Sequence, residues 1–297
     1  MFLLLGHGDD LCCAGVHALL DQRGLDARVV AAPVAPPAKL IWRLDAAGLT
    51  SSLFPPVPDT AITGVLVCDT GWLDPAGWEK EDHDYMQAEL RAVMLAWLAG
   101  LSCPVINRPD AAQWYRAGAP LVAWRPLLRR VGLPLGEVII TSDPAEAAAF
   151  RRRLAKDGVA GAVYAPLTNT SGYLLDDDDA WDGIVAVQER TPVCLTEPHG
   201  ASMLACVVDD TVIWDREQPA EVRRLDGALR RFATVAGLSF VEIAVAPVRR
   251  GLAVVLVEPR PRLEHFDEDA RARILGGLVA ALTKKTRDVA VAPLVLS

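Results

Sequence analysis

The sequence predicts an α/β protein, and three observations carry that expectation. In the first third, short apolar runs alternate with helical patterns. In the last third, pairs of strand-like segments flank acidic or arginine-centred turns. Hydrophobic residues make up 52% of the 297 and charged residues 23%, which gives a large core and excludes a disordered chain. At roughly 150 residues per domain the length suits about two domains.

The elements follow in order. Phe2 to Leu5 is short and apolar, as a buried parallel strand is. Leu11 to Gln22 is helical, with Asp9 or Asp10 as N-cap and Gly24 beyond its end. Ala27 to Ala31 is a second strand, followed by Pro-rich loops at Pro33 to Pro37 and Pro55 to Pro58. Ile62 to Cys68 is a third strand. Asp84 to Ala99 is a helix with apolar residues at Tyr85, Met86, Leu90, Val93, Met94 and Trp97. Pro104 to Asn107 is a fourth strand. Strands alternating with helices in this way imply a small doubly wound parallel sheet.

Further on, Ala119 to Val131 is helical, Glu137 to Thr141 a strand, and Pro144 to Lys156 a helix capped by Asp143. Ala160 to Ala165 and Gly183 to Gln188 are predicted as strands. Met203 to Val208 and Thr211 to Trp214 form a hairpin around Asp209-Asp210. Pro219 to Ala236 is a helix, Ser239 to Ala246 and Leu252 to Glu258 a second hairpin, and about Asp267 to Thr283 a final helix.

Charge and cysteine usage narrow the function classes. The formal net charge is −8, which disfavours sequence-independent nucleic-acid binding and attachment to anionic membranes. Met1 to Leu5 lacks the basic flank of a secretory signal. The apolar stretch Ala92 to Leu101 is half of the roughly 20 residues a membrane span needs. The six cysteines, at 12, 13, 68, 103, 194 and 206, form no CxxC pair. Reduced, mostly buried thiols in a cytoplasmic protein are therefore expected. Cys12-Cys13 reads either as two positions of a helix or as a redox pair.

The Ser239 to Glu258 hairpin brings two acids together. With its turn near Arg249-Arg250, Glu242 lies opposite or diagonal to Glu258. Facing carboxylates destabilise a sheet, and a bound Mg²⁺ resolves the conflict. In the other reading, Glu242 faces solvent and Glu258 merely ends its strand.

From about Pro104 onward, a series of phrases resembles the ATP-grasp superfamily, and within it the carboxylate–amine ligases of the ribosomal-protein glutamate ligase (RimK) and peptide-cyclising type. Val105-Ile106-Asn107-Arg108-Pro109 resembles the entry strand. Leu127 to Pro134, reading LLRRVGLP, resembles the helix and Gly-Leu-Pro segment, and Thr141-Ser142-Asp143 the next helix start. Ala162 to Leu167 resembles the strand that ends in Lys-Pro. Val187-Gln188-Glu189 resembles the adenine linker. Gly237 to Ile243 and Val257 to Pro261 resemble the two metal-ligand strands.

The resemblance implies a fold and a chemistry. The fold is a pre-ATP-grasp α/β domain over residues 1–104 and an ATP-grasp region over 105–297, with lobes at 105–187 and 188–297. The chemistry is an ATP- and Mg²⁺-dependent ligation through an acyl phosphate. Glu242 and Glu258 would hold the metal. Gln188 and Glu189 would flank the adenine. Thr168, Asn169, Thr170, Ser171 and Gly172 would close over the phosphates, since Gly and small hydroxyl residues let backbone N–H groups approach an anion. The implied substrate is a small molecule or peptide, and a homodimer or a pathway partner protein accompanies such enzymes.

Three positions depart from the pattern, and the family's substrate-side arginine has no clear equivalent near His199 to Ser202. The family's Lys before Pro is Ala165, an earlier Lys falls near Leu121, and the Asn two residues after the second Glu is Arg260. Arg260 and Arg262 could supply the missing cation, because a guanidinium binds phosphate bidentately. Alternatively Arg260 pairs with Glu258 and fills the metal position, leaving a degenerate relative that binds a ligand or a partner as a scaffold.

Lesser features have two readings each. His7-Gly8-Asp9-Asp10 either contacts an acceptor or caps a helix. His83 lies among acids at a solvated helix start or in a metal site. Asp176 to Asp179 is a solvated loop or a Ca²⁺ loop without the EF-hand spacing. Arg151-Arg152-Arg153 is read as an exposed helix end. Trp72, Trp78, Trp114 and Trp124 line a core or a pocket.

Overall fold

The computed structural model describes residues 1–31, 41–45, 48–53, 57–68, 73–108, 120–167 and 172–284. Two compact units make up the chain, one of Met1–Asp110 with Ala272–Ser297, the other of Ala111–Arg271. The C-terminal residues thus group with the N-terminal unit, whereas the sequence reading keeps 105–297 together.

In the first unit, β1 (Phe2–Leu5) leads into α1 (Leu11–Gln22) and β2 (Ala27–Val30). A small antiparallel sheet follows, of β3 (Ile41–Asp45), β4 (Gly48–Leu53) and β5 (Val57–Pro58). Sequence reading misses this sheet, because its strands are short and its residues lack alternation. Then come β6 (Gly64–Val67), α2 (Lys80–Gly100) and β7 (Val105–Ile106). The order β2-β1-β6-β7 makes a parallel sheet, as the alternation of elements implies. Leu3, Leu4 and Leu5 are fully or almost fully buried, as strands covered on both faces are.

Local chemistry sets the helix boundaries. Asp10 caps α1 by accepting from the Cys13 N–H at 2.8 Å. His83, on α2, is buried, not solvated, with Nε2 2.9 Å from the Leu73 carbonyl. The C-terminal helix lies against this unit at Gly15, where a Cβ would come within 2.6 Å of Leu275. A larger residue there would have to displace the end of the Leu275 side chain.

The second unit holds two antiparallel sheets. Its elements begin with α3 (Leu121–Arg130), β8 (Val138–Thr141), α4 (Pro144–Lys156), β9 (Ala162–Tyr164), β10 (Tyr173–Leu175), α5 (Asp178–Gln188) and β11 (Val193–Thr196). The first sheet runs β10-β9-β11-β8. Phe150 and Leu154 from α4 and Trp181 and Ile184 from α5 pack into its core.

One expectation is corrected here. Residues Gly183 to Gln188 form the end of a helix, not a strand. Asp177 caps that helix by accepting from Ala180 N–H at 2.7 Å, and Trp181, Ile184 and Gln188 make its buried face. The helical spacing of these three positions outweighs the β-branched run. Of the α4 arginines, expected as an exposed helix end, Arg152 and Arg153 are exposed. Arg151 reaches Asp178 at 2.7 Å and lies over Trp181, and Arg153 reaches Glu137 at 3.1 Å.

The second sheet runs β13-β12-β14-β15, from β12 (Met203–Val208), β13 (Thr211–Trp214), β14 (Phe240–Val248) and β15 (Gly251–Glu258). Between β13 and β14 lie α6 (Ala220–Arg223) and α7 (Asp226–Val235), so the helix expected over Pro219 to Ala236 is broken in two. The last helix is α8 (Glu268–Thr283).

Val241, Ile243 and Val245 on one face of β14 pack on Leu128 of α3 and Leu229 and Phe232 of α7. Trp124 meets Phe232 edge to face, with centroids 5.7 Å apart. Trp78 is 47% exposed, so the early tryptophans do not share one core. Trp72 and Trp114 lie outside the described residues. All six cysteines are free of disulfides, and all but Cys68 are buried. Among the described residues, no helix is long and apolar enough to cross a membrane.

Candidate functional site

The two sheets of the second unit enclose a cavity. One wall is Val254 to Val257 of β15. The other is built from Val138, Val163, Cys194 and Thr196 of the first sheet. Leu121 and Arg125 of α3 also line it, as do Ala165, Pro166 and Gly172, which flank the segment expected to cover phosphates. A parallel bridge from Leu135 to Val254, with Val254 N–H donating to Pro134 O at 2.9 Å, ties the segment before β8 to β15.

Polar groups converge on this apolar space. Glu197 directly follows β11 and is only 6% exposed. Its Oε1 accepts from Glu137 N–H at 2.7 Å, while its buried Oε2 has no partner. A Cβ on Gly136 would stand 3.1 Å from Glu197 Oε1, so the glycine makes room for the carboxylate. Arg125 donates from Nη2 to Gly136 O at 2.7 Å. Burial lowers its pKa, and Cys194 and Glu197 nearby favour the charged form. His199 also lines the cavity, with Nδ1 2.9 Å from Gly200 O.

Next to this wall stands the acidic pair. Glu242 of β14 and Glu258 of β15 are direct cross-strand partners, and the hairpin turn falls at Arg249-Arg250 because Val248 pairs with Gly251. Val257 lines the cavity and Glu258 follows it. Glu242 is fully buried. Its Oε2 accepts from Arg262 N–H at 2.9 Å, and its Oε1 is 3.0 Å from His265 Nδ1. Glu258 Oε1 accepts from Arg260 N–H at 3.0 Å. Cys206 is the cross-strand partner of Glu242 on its other side. Burial, and then the Glu242 charge, push that thiol well above its usual value.

These contacts leave a donor set suited to a hard cation. Glu258 Oε2 takes part in no described hydrogen bond, and each carboxylate oxygen keeps a second lone pair. Two carboxylates directly opposed across a sheet repel unless a cation lies between them. Mg²⁺ binds through one or two carboxylates and completes its shell with water and phosphate oxygens. The residues present therefore fit a Mg²⁺ ion.

The other sequence-predicted positions are distributed as follows. Gly172 lines the cavity, whereas Thr168, Asn169, Thr170 and Ser171 lie outside the described residues. Gln188 ends α5, buried, and donates to Thr141 O at 3.1 Å; Glu189 is exposed beyond it. Neither lines the cavity. Arg260 and Arg262 are exposed, and both meet the acidic pair through backbone N–H groups. The Arg260 guanidinium does not pair with Glu258.

Sequence reasoning missed Arg125, Glu197, His199 and His265. Arg125 stands one helical turn after Leu121, on the same face. Glu197 follows an apolar run that reads as a strand, Val193 to Thr196, and sits before Pro198.

No protein-family model matches the sequence, and no curated protein matches it. Solved structures do. The ATP-grasp ligase PsnB, complexed with a minimal precursor, has a TM-score of 0.75 at 19% identity, covering 96% of this chain and 99% of that one. PsnB with a phosphomimetic precursor variant, Mg and ADP gives 0.72 at 21% identity, covering 94% and 98%. The macrocyclase MdnC of Microcystis aeruginosa MRC, bound with precursor peptide MdnA, gives 0.75 at 14% identity, covering 95% and 100%. At these identities the likeness is one of fold. The chain has the ATP-grasp fold, with a RimK-like resemblance, over about 95% of its length.

Proposed function

We propose that the protein is an ATP- and Mg²⁺-dependent ligase that joins a carboxylate to an amine on a peptide. The observation that carries this reading is the direct pairing of Glu242 with Glu258 beside a cavity that holds a buried, unpartnered carboxylate oxygen. Opposed acids are costly without a cation.

The chain's own residues divide the work. Glu242 and Glu258 would hold Mg²⁺, which supplies charge neutralisation for phosphoryl transfer when bound. His265 and the Arg262 N–H fix the Glu242 carboxylate in place, as outer partners of a metal ligand do. Glu197 Oε2 accepts a hydrogen bond from an amino group inside the cavity, which an adenine would supply. Arg125 stands where it can meet an anionic part of the nucleotide. Gly172 and the preceding residues 168–171 remain the candidates to cover the phosphates. Gln188 and Glu189, outside the cavity, take no part in this arrangement. Arg260, exposed beside Glu258, remains the candidate to steady a reacting carboxylate or phosphate.

Peptide substrates are favoured over small acceptors by the neighbours. The PsnB and MdnC structures are complexes with precursor peptides. The reading then follows the ligase course, in which ATP activates a carboxylate as an acyl phosphate and an amine displaces the phosphate.

A second reading rests on one observation. Ala165 lines the cavity where the family carries a lysine. Without that point charge the nucleotide loses a phosphate contact, and a scaffold that binds ligand or partner without turnover accounts for the substitution.

Calorimetry with a non-hydrolysable ATP analogue, with and without Mg²⁺, separates the two. The ligase reading expects saturable binding that strengthens with Mg²⁺. Absence of binding at millimolar nucleotide would leave only the scaffold.

A further inference from the structure

The first unit carries a group of side chains that the ligase reading does not use. We propose that Asp10, Cys12 and Cys68 form a site for a thiophilic divalent cation such as Zn²⁺, with the fourth position open to water. One carboxylate oxygen and the two sulfurs all lie within 4.8 Å of one another. A tetrahedral zinc with bonds of roughly 2.0–2.3 Å spaces its ligand atoms roughly 3.5–3.8 Å apart. The three donors thus stand within about 1 Å of the spacing that one ion requires.

The topology explains why these residues meet. β1 and β6 are parallel neighbours with Leu5 opposite Val67, so both strands end on one edge of the sheet. The chain leaving β1 turns into α1 and puts Cys12 in its first turn. The chain leaving β6 puts Cys68 beside it, with Cys68 N–H donating to Leu5 O at 2.9 Å. Asp10 is fixed by the cap bond from Cys13 N–H to Oδ1, which leaves Oδ2 for another partner.

The Cys68 side chain stands next to those of both Cys12 and Cys13. Cys12 is 5% exposed, Cys68 is half-buried and Asp10 is exposed. Two sulfurs thus sit at the bottom of a site whose carboxylate faces water, which gives an ion an entry path. Two thiolates select a soft or borderline cation over Mg²⁺ or Ca²⁺. Binding releases one proton from each thiol to solvent and joins α1 to the end of β6.

The test uses the full chain, reduced and freed of metal, then given Zn²⁺ and desalted. Retained zinc is counted with a chromophoric chelator after unfolding, and Co²⁺ substitution is followed by its thiolate charge-transfer absorption. The expected result is one equivalent per chain. Cys12→Ser and Cys68→Ser should each fall below a tenth of that, while Cys103→Ser should retain it.

Asp10→Asn keeps the helix cap and should weaken retention tenfold, so the test survives misfolding of a serine variant. Three results would each overturn the proposal: no retained zinc in the wild type, undiminished zinc in both serine variants, or a Cys68 disulfide forming in place of the metal when both are possible. The site lies wholly in the first unit, so Glu258→Gln should leave its zinc unchanged whatever becomes of the nucleotide reading.

Discussion

At the residue scale the acidic pair matters most. Glu242 and Glu258 are cross-strand partners, and like charges directly opposite cost a sheet roughly 0.2–1 kcal/mol. Glu258→Gln removes the repulsion, so denaturant unfolding should show the metal-free variant more stable than wild type by about 0.5 kcal/mol. That gain should come with loss of Mg²⁺-dependent nucleotide binding. Ala165 offers a converse test. It lines the cavity, and Ala165→Lys should restore a phosphate contact and tighten nucleotide binding about tenfold, or about 1.4 kcal/mol. Calorimetry checks this, and unchanged affinity would mean that the phosphates lie elsewhere.

How much was legible at this scale depended on the type of signal. The hairpin periodicity and its arginine turn placed Glu242 opposite or diagonal to Glu258 from the sequence alone, and the register makes them direct partners. The cavity residues were harder. Glu197 and Arg125 come together through an approach between a helix and two sheets, and no local pattern records such an approach. The Gln188-Glu189 phrase resembled a linker, but it falls at a helix end because Asp177 caps the segment and Trp181, Ile184 and Gln188 make a buried face at helical spacing.

At the element scale, two cores hold the second unit and one charged tie supports them. Phe232 is fully buried between α3 and the second sheet, so Phe232→Ala should cost about 3–5 kcal/mol, read as a lowered midpoint in denaturant.

The tie is Arg249, at the hairpin turn, which pairs with Glu137 at 2.5 Å and also with Asp157. Burial pushes the Glu137 carboxyl up, and Arg153 and Arg249 pull it further down, so it rests below the ordinary value of 4.5. A carboxyl lowered by folding adds stability that is complete above its unfolded pKa and lost as pH falls through its folded one. Arg249→Ala should therefore lower stability by about 1–2 kcal/mol near neutral pH. The deficit against wild type should shrink as pH falls below about 4.5, which thermal melts across pH would show. A deficit constant with pH would mean that the arginine acts by packing alone.

The elements show where sequence reading succeeds and where it stops. Long periodic helices, the β12–β13 and β14–β15 hairpins and the N-terminal parallel strands were all legible. The three-stranded sheet of residues 41–58 was not, because it has no alternation and few β-branched residues. The broken helix at 223–226 was also missed, since the one weak helix former near the break is Gly227.

At the scale of the whole molecule, the net charge of −8 bears on the central claim. An acidic chain binds a polyanionic nucleotide only where it gathers positive charge. Among the cavity-lining residues Arg125 is the fixed cation, and the rest must come with the metal. Nucleotide affinity should accordingly depend on Mg²⁺ more steeply here than in a site lined with lysines.

A ligand that binds only the native state at a hundred times its Kd stabilises by about 2.7 kcal/mol, well within reach of a melt. The decisive measurement is the thermal midpoint of wild type and Glu258→Gln with a non-hydrolysable ATP analogue over a Mg²⁺ titration. The account predicts a wild-type midpoint that rises with Mg²⁺ only when nucleotide is present, and no such rise in the variant. Equal rises in both proteins, or none in the wild type, would contradict it.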